Sequence, residues 1–407
     1  MKSQDGLIAQ AAVWLAFASS ALIVLGIAPS QILLGMALAA MLISRSELRL
    51  PPIKLPLALF LGGTLLALAF SASPTDGLPQ VKKIYVFCQL LVAFSLLRTL
   101  EITRRLTMAW AALAASSATL GIFQFVHKVH QAHAAGNDFY QSYIGQRITG
   151  FMGHWYTFSV LGMLALLMTV SYLFFGAGMR RRTRAWLIAC AAVIAVGIVL
   201  AETRAVWIAT AAAGLYLVWS WRPRVLMLAP AVLLLGFFAA PSSLRTRVTS
   251  IVHPGAPDSN ESRVITSRTG LRMIERHPLL GLGPELPRIK FNEYVPEDIP
   301  RPLPEASYMH LHNIYLQYAA ERGIPTLLVF LWLIGKMLYD FRKGLLRLPP
   351  GPNDRRFLLH GAIAVIIALL IEGFADVNFG DSETLAMFLA IVACGYTALN
   401  APPVRAR

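Results

Sequence analysis

The sequence predicts an all-α polytopic membrane protein, with about twelve transmembrane helices and a large, partly helical external loop between helices 9 and 10. Three observations carry this. Of 407 residues, 56% are hydrophobic and only 14% charged, outside the usual range of soluble domains. Apolar runs near the roughly 20 residues a helix needs to cross a bilayer recur along the chain. Basic residues gather at every second connection.

In order, the candidate spans are about 7–26, 30–44, 54–71, 79–97, 106–127, 152–177, 185–201, 204–220, 225–240, 314–339, 357–376 and 382–399. The second is short, so it is expected to tilt or lie partly in the interface. Lys2 before an apolar run has the look of a signal peptide, but Ala28-Pro29-Ser30 leads directly into another apolar run, so a retained first helix is expected. Cys88, Cys190 and Cys394 all fall inside apolar spans; they suit packing better than a disulfide framework or thiolate cluster.

Arg45, Arg49 and Lys54; Arg98, Arg104 and Arg105; Arg180, Arg181, Arg182 and Arg184; Arg222 and Arg224; Arg342, Lys343, Arg347, Arg355 and Arg356; and Arg405 and Arg407 fall on one side if the chain crosses twelve times. That side is cytoplasmic by the positive-inside rule. Both termini then lie inside, with segments near 72–83, 128–150, 202–204, 241–312 and 377–381 outside. The whole chain, 1–407, reads as a single membrane domain, interrupted by the external loop 241–312 and a smaller polar segment, 128–150. Within the long loop, Thr266 to His277 has helical character, ended by Pro278 and the glycines that follow.

The long loop holds Arg245, Arg247, Arg263, Arg268, Arg272, Arg276, Arg288, Lys290 and Arg301 on the side where positive charge is disfavoured. An anionic partner accounts for that excess; a solvated mixed-charge helix, shared with acidic residues such as Glu275 and Asp298, is the commoner explanation for any one loop arginine. Nucleic acid is not an expected partner outside the cytoplasm, and much of the net charge of +15 belongs to the cytoplasmic anchors.

Three constellations can carry chemistry. Glu202-Thr203-Arg204 forms a whole external turn, putting Arg204 at headgroup depth. There it either snorkels or pairs with Glu202, or holds a lipid phosphate through its planar fork. Arg147 precedes the glycine-punctuated entry Gly150-Phe151-Met152-Gly153 into a span, as an anchor or an anion contact; Lys82 and Lys83, at the external start of another span, are open to the same two readings. Third, His310-Leu311-His312-Asn313 leads into a run that, from His312 to Asp340, would measure roughly 43 Å as one helix, too long for a bilayer core of about 30 Å. Gly323 and Pro325 are expected to kink it. This leaves His312, Tyr315 and Gln317 at the external interface, near a helix N-terminus that favours phosphate and with histidine available to take a proton. Metal chemistry finds little support: His310-x-His312 is not a helical-face spacing, no Glu-x-x-His pair accompanies it, and no external Asp-x-Asp motif occurs. A hydrolase elbow, Gly-x-Ser-x-Gly, is also lacking.

In these residues the chain resembles the bacterial O-antigen ligase superfamily, which also contains O-antigen polymerases and protein O-oligosaccharyltransferases. The marks are Thr203-Arg204 with Trp207, Ser262-Arg263, Pro278 through Gly283, and His312-Asn313 followed ten residues after Asn313 by Gly323. Where the family commonly has a second glycine three residues on, this chain has Thr326. The resemblance implies transfer of a glycan from undecaprenyl pyrophosphate to an acceptor hydroxyl at the periplasmic face of the bacterial inner membrane, with no cofactor, metal or nucleotide. In the ligases the acceptor is lipid A core. Arg204 and Arg263 would clamp the pyrophosphate, and His312 would act as general base or as a further phosphate contact. Arg147, Arg268, Arg272, His310, Asn313, Lys82 and Lys83 are the remaining candidates for substrate contacts. A transporter or flippase is the reading from another class; no inverted repeat or pair of broken helices in matching halves supports it. A non-catalytic membrane assembly subunit is a third.

Overall fold

The computed structural model describes residues 2–228, 260–303 and 310–401, together with residues 238, 245 and 249. Of the ninth expected span, 225–240, residues 229–237, 239 and 240 fall outside the described residues, as do nearly all of 241–259 and the tail with Arg405 and Arg407.

Among the described residues the architecture is entirely helical. The helices are α1 (Lys2–Leu22), α2 (Ile27–Ile43), α3 (Lys54–Ala69), α4 (Pro74–Lys82), α5 (Cys88–Leu96), α6 (Leu100–Ala134), α7 (Phe139–Ile144), α8 (Trp155–Phe175), α9 (Arg181–Leu200), α10 (Arg204–Trp221), α11 (Asn260–Arg276), α12 (Ile314–Leu346), α13 (Asp354–Glu372) and α14 (Ser382–Asn400). Five of these, α6, α8, α9, α12 and α14, are long and apolar enough to cross a membrane, and shorter apolar helices lie at Gly6–Leu22, Ile27–Ile43 and Lys54–Ala69. Large apolar side chains on the outer surface, such as Ile32, Phe123, Ile188, Trp219 and Leu328, are exposed, as lipid-facing residues are where the surrounding solvent is hydrocarbon.

Three sequence boundaries need correction. The expected span 79–97 is broken: α4 ends at Lys82, a 3₁₀ turn covers Lys83–Phe87, and α5 resumes at Cys88. The expected span 106–127 is the middle of a 35-residue helix, so the histidines at the start of the 128–150 segment sit on the last turns of α6. Within the long loop the helix begins six residues before Thr266, at Asn260, which puts Arg263 in its first turn.

Two apolar cores organise the chain. The larger joins the membrane helices, with Trp110, Phe341, Phe357 and Tyr396 buried in it. The smaller joins α11, the segment that follows it and the first half of α12, through Ile265, Met273, Leu286, Phe291, Tyr294, Leu311 and Ala320. The two meet at a break in α12. Gly323 there has φ 79° and ψ 164°, two residues before Pro325, as the length of the run predicts.

The backbone bonds lost at this break are replaced one for one. Pro325 has no N–H to give the Glu321 carbonyl, its partner in an unbroken helix, and that oxygen accepts from Gly283 N at 3.0 Å instead. The Ala320 carbonyl accepts from Leu282 N at 2.8 Å, and Ile324 N donates to the Pro278 carbonyl at 2.8 Å. A Cβ on Gly323 would collide with the Leu279 carbonyl, and one on Gly281 with the backbone of Glu321 and Arg322. The Pro278–Gly283 motif is thus a backbone plug for the kink.

Gly323→Ala is expected to cost at least about 1–3 kcal/mol, since it forces a side chain into a positive-φ position against a backbone oxygen. Gly335→Ala, lower on the same helix with open space at its Cβ position, is expected to be neutral or slightly stabilising. Thermal unfolding of the purified variants, followed by size-exclusion chromatography, checks both.

Candidate active site

A cavity of about 660 Å³ opens where the ends of several helices converge. The first turns of α8 (Trp155, Tyr156), α10 (Arg204, Ala205) and α11 (Arg263) line it, as do Gln317 and Glu321 of α12. Three helix N-termini at one cavity add partial positive charge to that of the side chains. The remaining wall comes from the α13–α14 connection, with Asp376 and Asp381, and from Gln80 and Lys83 at the broken α4–α5 segment.

Of the residues singled out from sequence, Arg204, Arg263, His312, Arg147, His310 and Lys83 all line this cavity, although they come from positions up to 229 residues apart in the chain. Arg147 also packs over the Trp155 ring at 5.2 Å, an interaction that fixes a guanidinium without neutralising it.

Four other candidates sit elsewhere. Arg268 forms a two-pronged ion pair with Asp298, at 2.8 and 3.0 Å, and Arg272 donates to the Val295 carbonyl at 3.3 Å. Both line a separate open groove on the outer side of α11. The exposed Arg268–Asp298 pair holds the Asp298 carboxyl below the usual carboxylate range through the Arg268 hydrogen bonds. Asn313 caps α12: its side-chain oxygen accepts from Tyr315 N at 2.9 Å and Leu316 N at 3.0 Å, and its amide donates to the Phe374 carbonyl at 3.3 Å. Lys82 is exposed and does not line the cavity.

Asp376, which the sequence reading placed at the end of an apolar span and passed over, stands beside both histidines. His310 Nε2 lies 3.5 Å and His312 Nδ1 3.8 Å from Asp376 Oδ1, and the two rings are 4.1 Å apart between centroids. His310-x-His312 is not a helical-face spacing, but neither histidine lies on a helix here. His312 lies before α12 with φ 49°, a left-handed conformation a non-glycine residue seldom adopts, and this turn folds its ring back toward His310. Burial pushes the His310 imidazole down from its ordinary value, opposed by Asp376 and assisted by the charges of His312, His154 and Arg263. Burial alone would raise the Asp376 carboxyl, but the two imidazoles outweigh it and hold the acid below its usual range. Asp376 is therefore ionised at neutral pH and faces His312 Nδ1. That arrangement favours the tautomer with its proton on Nδ1, leaving Nε2 as the basic atom.

Beneath Asp376, Glu372 is fully buried at the end of α13 and accepts a hydrogen bond from Tyr156 at 2.9 Å, tying α13 to the first turn of α8. The signal for both acids was an ionisable side chain at the edge of an apolar run, an expensive placement that usually serves a purpose.

His310, His312 and Asp376 present ligand atoms within 4.8 Å of one another, close enough to share a metal ion. Two imidazoles and a carboxylate are a suitable donor set for zinc. The guanidinium groups of Arg147, Arg204 and Arg263 line the same cavity and oppose a divalent cation electrostatically.

Half-buried arginines and a histidine–carboxylate pair thus line one cavity at the ends of the apolar helices of a multi-pass membrane protein. Residues 189–331 match the family model described as O-antigen ligase, which supports an O-antigen ligase-type superfamily member. The matched segment contains Arg204, Arg263, His310, His312 and the Gly323 kink, whereas Arg147, Lys83 and Asp376 lie outside it. No curated protein matches the chain.

Asn313→Ala is expected to lower stability by about 1 kcal/mol through loss of the cap, measurable as a reduced melting temperature. Arg268→Ala should change it by less than about 1 kcal/mol, the usual range for an exposed ion pair.

Proposed function

We propose that the protein is an O-antigen ligase: a glycosyltransferase that moves O-antigen glycan from undecaprenyl pyrophosphate to a hydroxyl of lipid A core, in lipopolysaccharide biosynthesis. The carrying observation is the cavity itself, in which Arg204, Arg263 and Arg147 share one wall system with His312 and its ionised partner Asp376.

In this reading the glycan's anomeric carbon sits between the acceptor and the arginines. The acceptor hydroxyl gives its proton to His312 Nε2 while its oxygen forms the new bond to carbon. The bond from carbon to the diphosphate oxygen breaks and its electron pair leaves with undecaprenyl pyrophosphate, where the guanidinium groups meet the developing charge. Asp376 stabilises the imidazolium that results. The 3.8 Å separation is longer than a hydrogen bond, as catalytic contacts often are before substrate closes the site. A single displacement of this kind inverts the anomeric centre.

The arginines supply the cationic charge that a metal would otherwise provide, so the reaction is metal-independent and His310, His312 and Asp376 serve as a proton-handling group. The chain crosses the inner membrane about twelve times with both termini in the cytoplasm. The cavity faces the periplasm, and the donor and acceptor reach it from the outer leaflet. The basic connections on the opposite side support this orientation.

Arg204→Ala, Arg263→Ala and His312→Ala should each lower transfer by roughly 10²- to 10³-fold, the size expected for removing one preorganised transition-state contact. Arg204→Lys should recover only part of the loss, because a point charge does not reproduce the guanidinium fork. Arg182→Ala, at the cytoplasmic start of α9, should transfer normally. The assay is reconstituted transfer from undecaprenyl pyrophosphate-linked glycan with EDTA present. Glycan on lipid A core supports the ligase. Elongation of lipid-linked glycan without lipid A core would make the protein a polymerase, and glycan appearing only on polypeptide would make it a protein O-oligosaccharyltransferase. A rate that collapses in EDTA and returns with zinc would refute metal independence.

A further inference from the structure

Gln317 and Glu321 stand one turn apart on α12 beside the histidines. They are 5% and 0% exposed, and the reaction above gives neither a task. Their hydrogen bonds form one connected set. The Gln317 side-chain oxygen accepts from Leu311 N at 3.0 Å, and its amide donates to Glu321 Oε1 at 2.7 Å. That orientation is forced, because an N–H cannot accept and a carboxylate cannot donate. The same Glu321 oxygen accepts from Gln80 Nε2 of α4 and from Glu285 N, both at 3.3 Å, while Oε2 lies 3.4 Å from the Arg322 guanidinium.

A buried charge pair is often no more stabilising than an apolar pair of the same volume, so where this set ends matters. It ends on two strained turns. Glu285 has φ 65°, and Leu311 directly precedes His312 at φ 49°; these are two of the four non-glycine residues with positive φ among the described residues. Such backbone persists only where its surroundings over-determine it. At the histidine turn, His312 N donates to His310 Nδ1 at 3.3 Å, the Leu311 side chain is buried in the smaller core, and Gln317 takes the Leu311 N–H. Without Gln317 that buried N–H loses its acceptor. A turn released to negative φ carries the His312 ring away from Asp376, which now lies 3.8 Å from its Nδ1.

We propose that Gln317, held in place by Glu321, is a positioning residue for His312: it fixes the left-handed turn that aims the imidazole at Asp376, and sets turnover without touching substrate. The effect on rate rests on the transferase reading; the effect on the ring does not.

The test uses Gln317→Met in the full chain, which keeps the length of the side chain and removes both hydrogen bonds. In reconstituted transfer kcat should fall by roughly 10- to 100-fold, the scale of a misplaced catalytic group, with KM for the lipid-linked donor within about twofold of wild type. In a His312→Ala background the same substitution should change the residual rate by less than about twofold, because a residue acting only through His312 has nothing left to act on. Equal losses in the two backgrounds would make Gln317 a packing residue or a direct substrate contact and overturn the proposal, as would wild-type kcat in folded Gln317→Met. If Gln317→Met fails to fold, Gln80→Leu, at a half-buried position, removes one bond to Glu321 and should give a smaller loss of kcat that also vanishes in the His312→Ala background; no loss, or equal losses, overturns the proposal.

A second readout needs no substrate. With the histidine rings labelled with ¹³C, the His312 signal, one of nine, is identified by its disappearance in His312→Ala. In Gln317→Met, or in Gln80→Leu, it should shift in the direction it takes in Asp376→Asn, with the signals of the exposed His127 and His130 unmoved. A His312 signal that stays in place overturns the proposal. A wild-type chain that transfers no glycan would refute the proposed function, and the ring signal then decides the positioning by itself.

Discussion

Everything at the cavity depends on one exchange of backbone hydrogen bonds, at the break in α12. A helix interrupted by Gly323 and Pro325 strands two carbonyls and an N–H in a low-dielectric setting, where each unsatisfied group is expensive. The turn from Pro278 to Gly283 supplies the missing partners, and only glycine allows the two backbones to approach so closely at Gly281 and Gly323. The loop subdomain cannot then move independently of the membrane helices, because its exit from α11 is fastened to the middle of α12. Arg263 at one end of that subdomain and His312 at the other are positioned by the same joint.

Around that joint the cavity gathers expensive groups. Buried acids, a strained histidine and guanidinium groups over aromatic rings would each destabilise the fold if left alone. They are offset in pairs: Asp376 with the two imidazoles, Glu372 with Tyr156, Glu321 with Gln317 and Gln80. The left-handed turn at His312 itself costs of order 1 kcal/mol or more and points the ring at Asp376 instead of continuing along the helix. Such concentrated strain and charge fits a site preorganised for charge development.

Much of the fold and part of the site were legible in the sequence for local reasons. Apolar runs gave the helices, since a helix buried in lipid must be apolar over its length. Run length against bilayer thickness foretold the kink at Gly323. Arg204 stood out as an ionisable group at a membrane boundary, His312 as a histidine at the start of the over-long helical run, and Arg263 through the loop's excess of positive charge and the family resemblance. Legibility failed where two environments look alike in composition. The α4–α5 break has an ordinary apolar sequence, Arg268 and Arg263 share one helix with similar neighbours, and Asn313 is as good a cap as it is a ligand. Which face of α11 meets the cavity is decided by the small apolar core beneath it, and that core includes residues from α12.

The sequence by itself therefore determined the helical membrane class, the broken helix and a short set of cations and histidines, because each is governed by residues near it in the chain. Only the tertiary structure decided which of them meet. It brought Asp376 of the α13–α14 connection to His312 and sent Arg268 to Asp298. It also set Arg322 over the Phe60 ring of α3, because those outcomes depend on contacts between segments that the chain order does not relate.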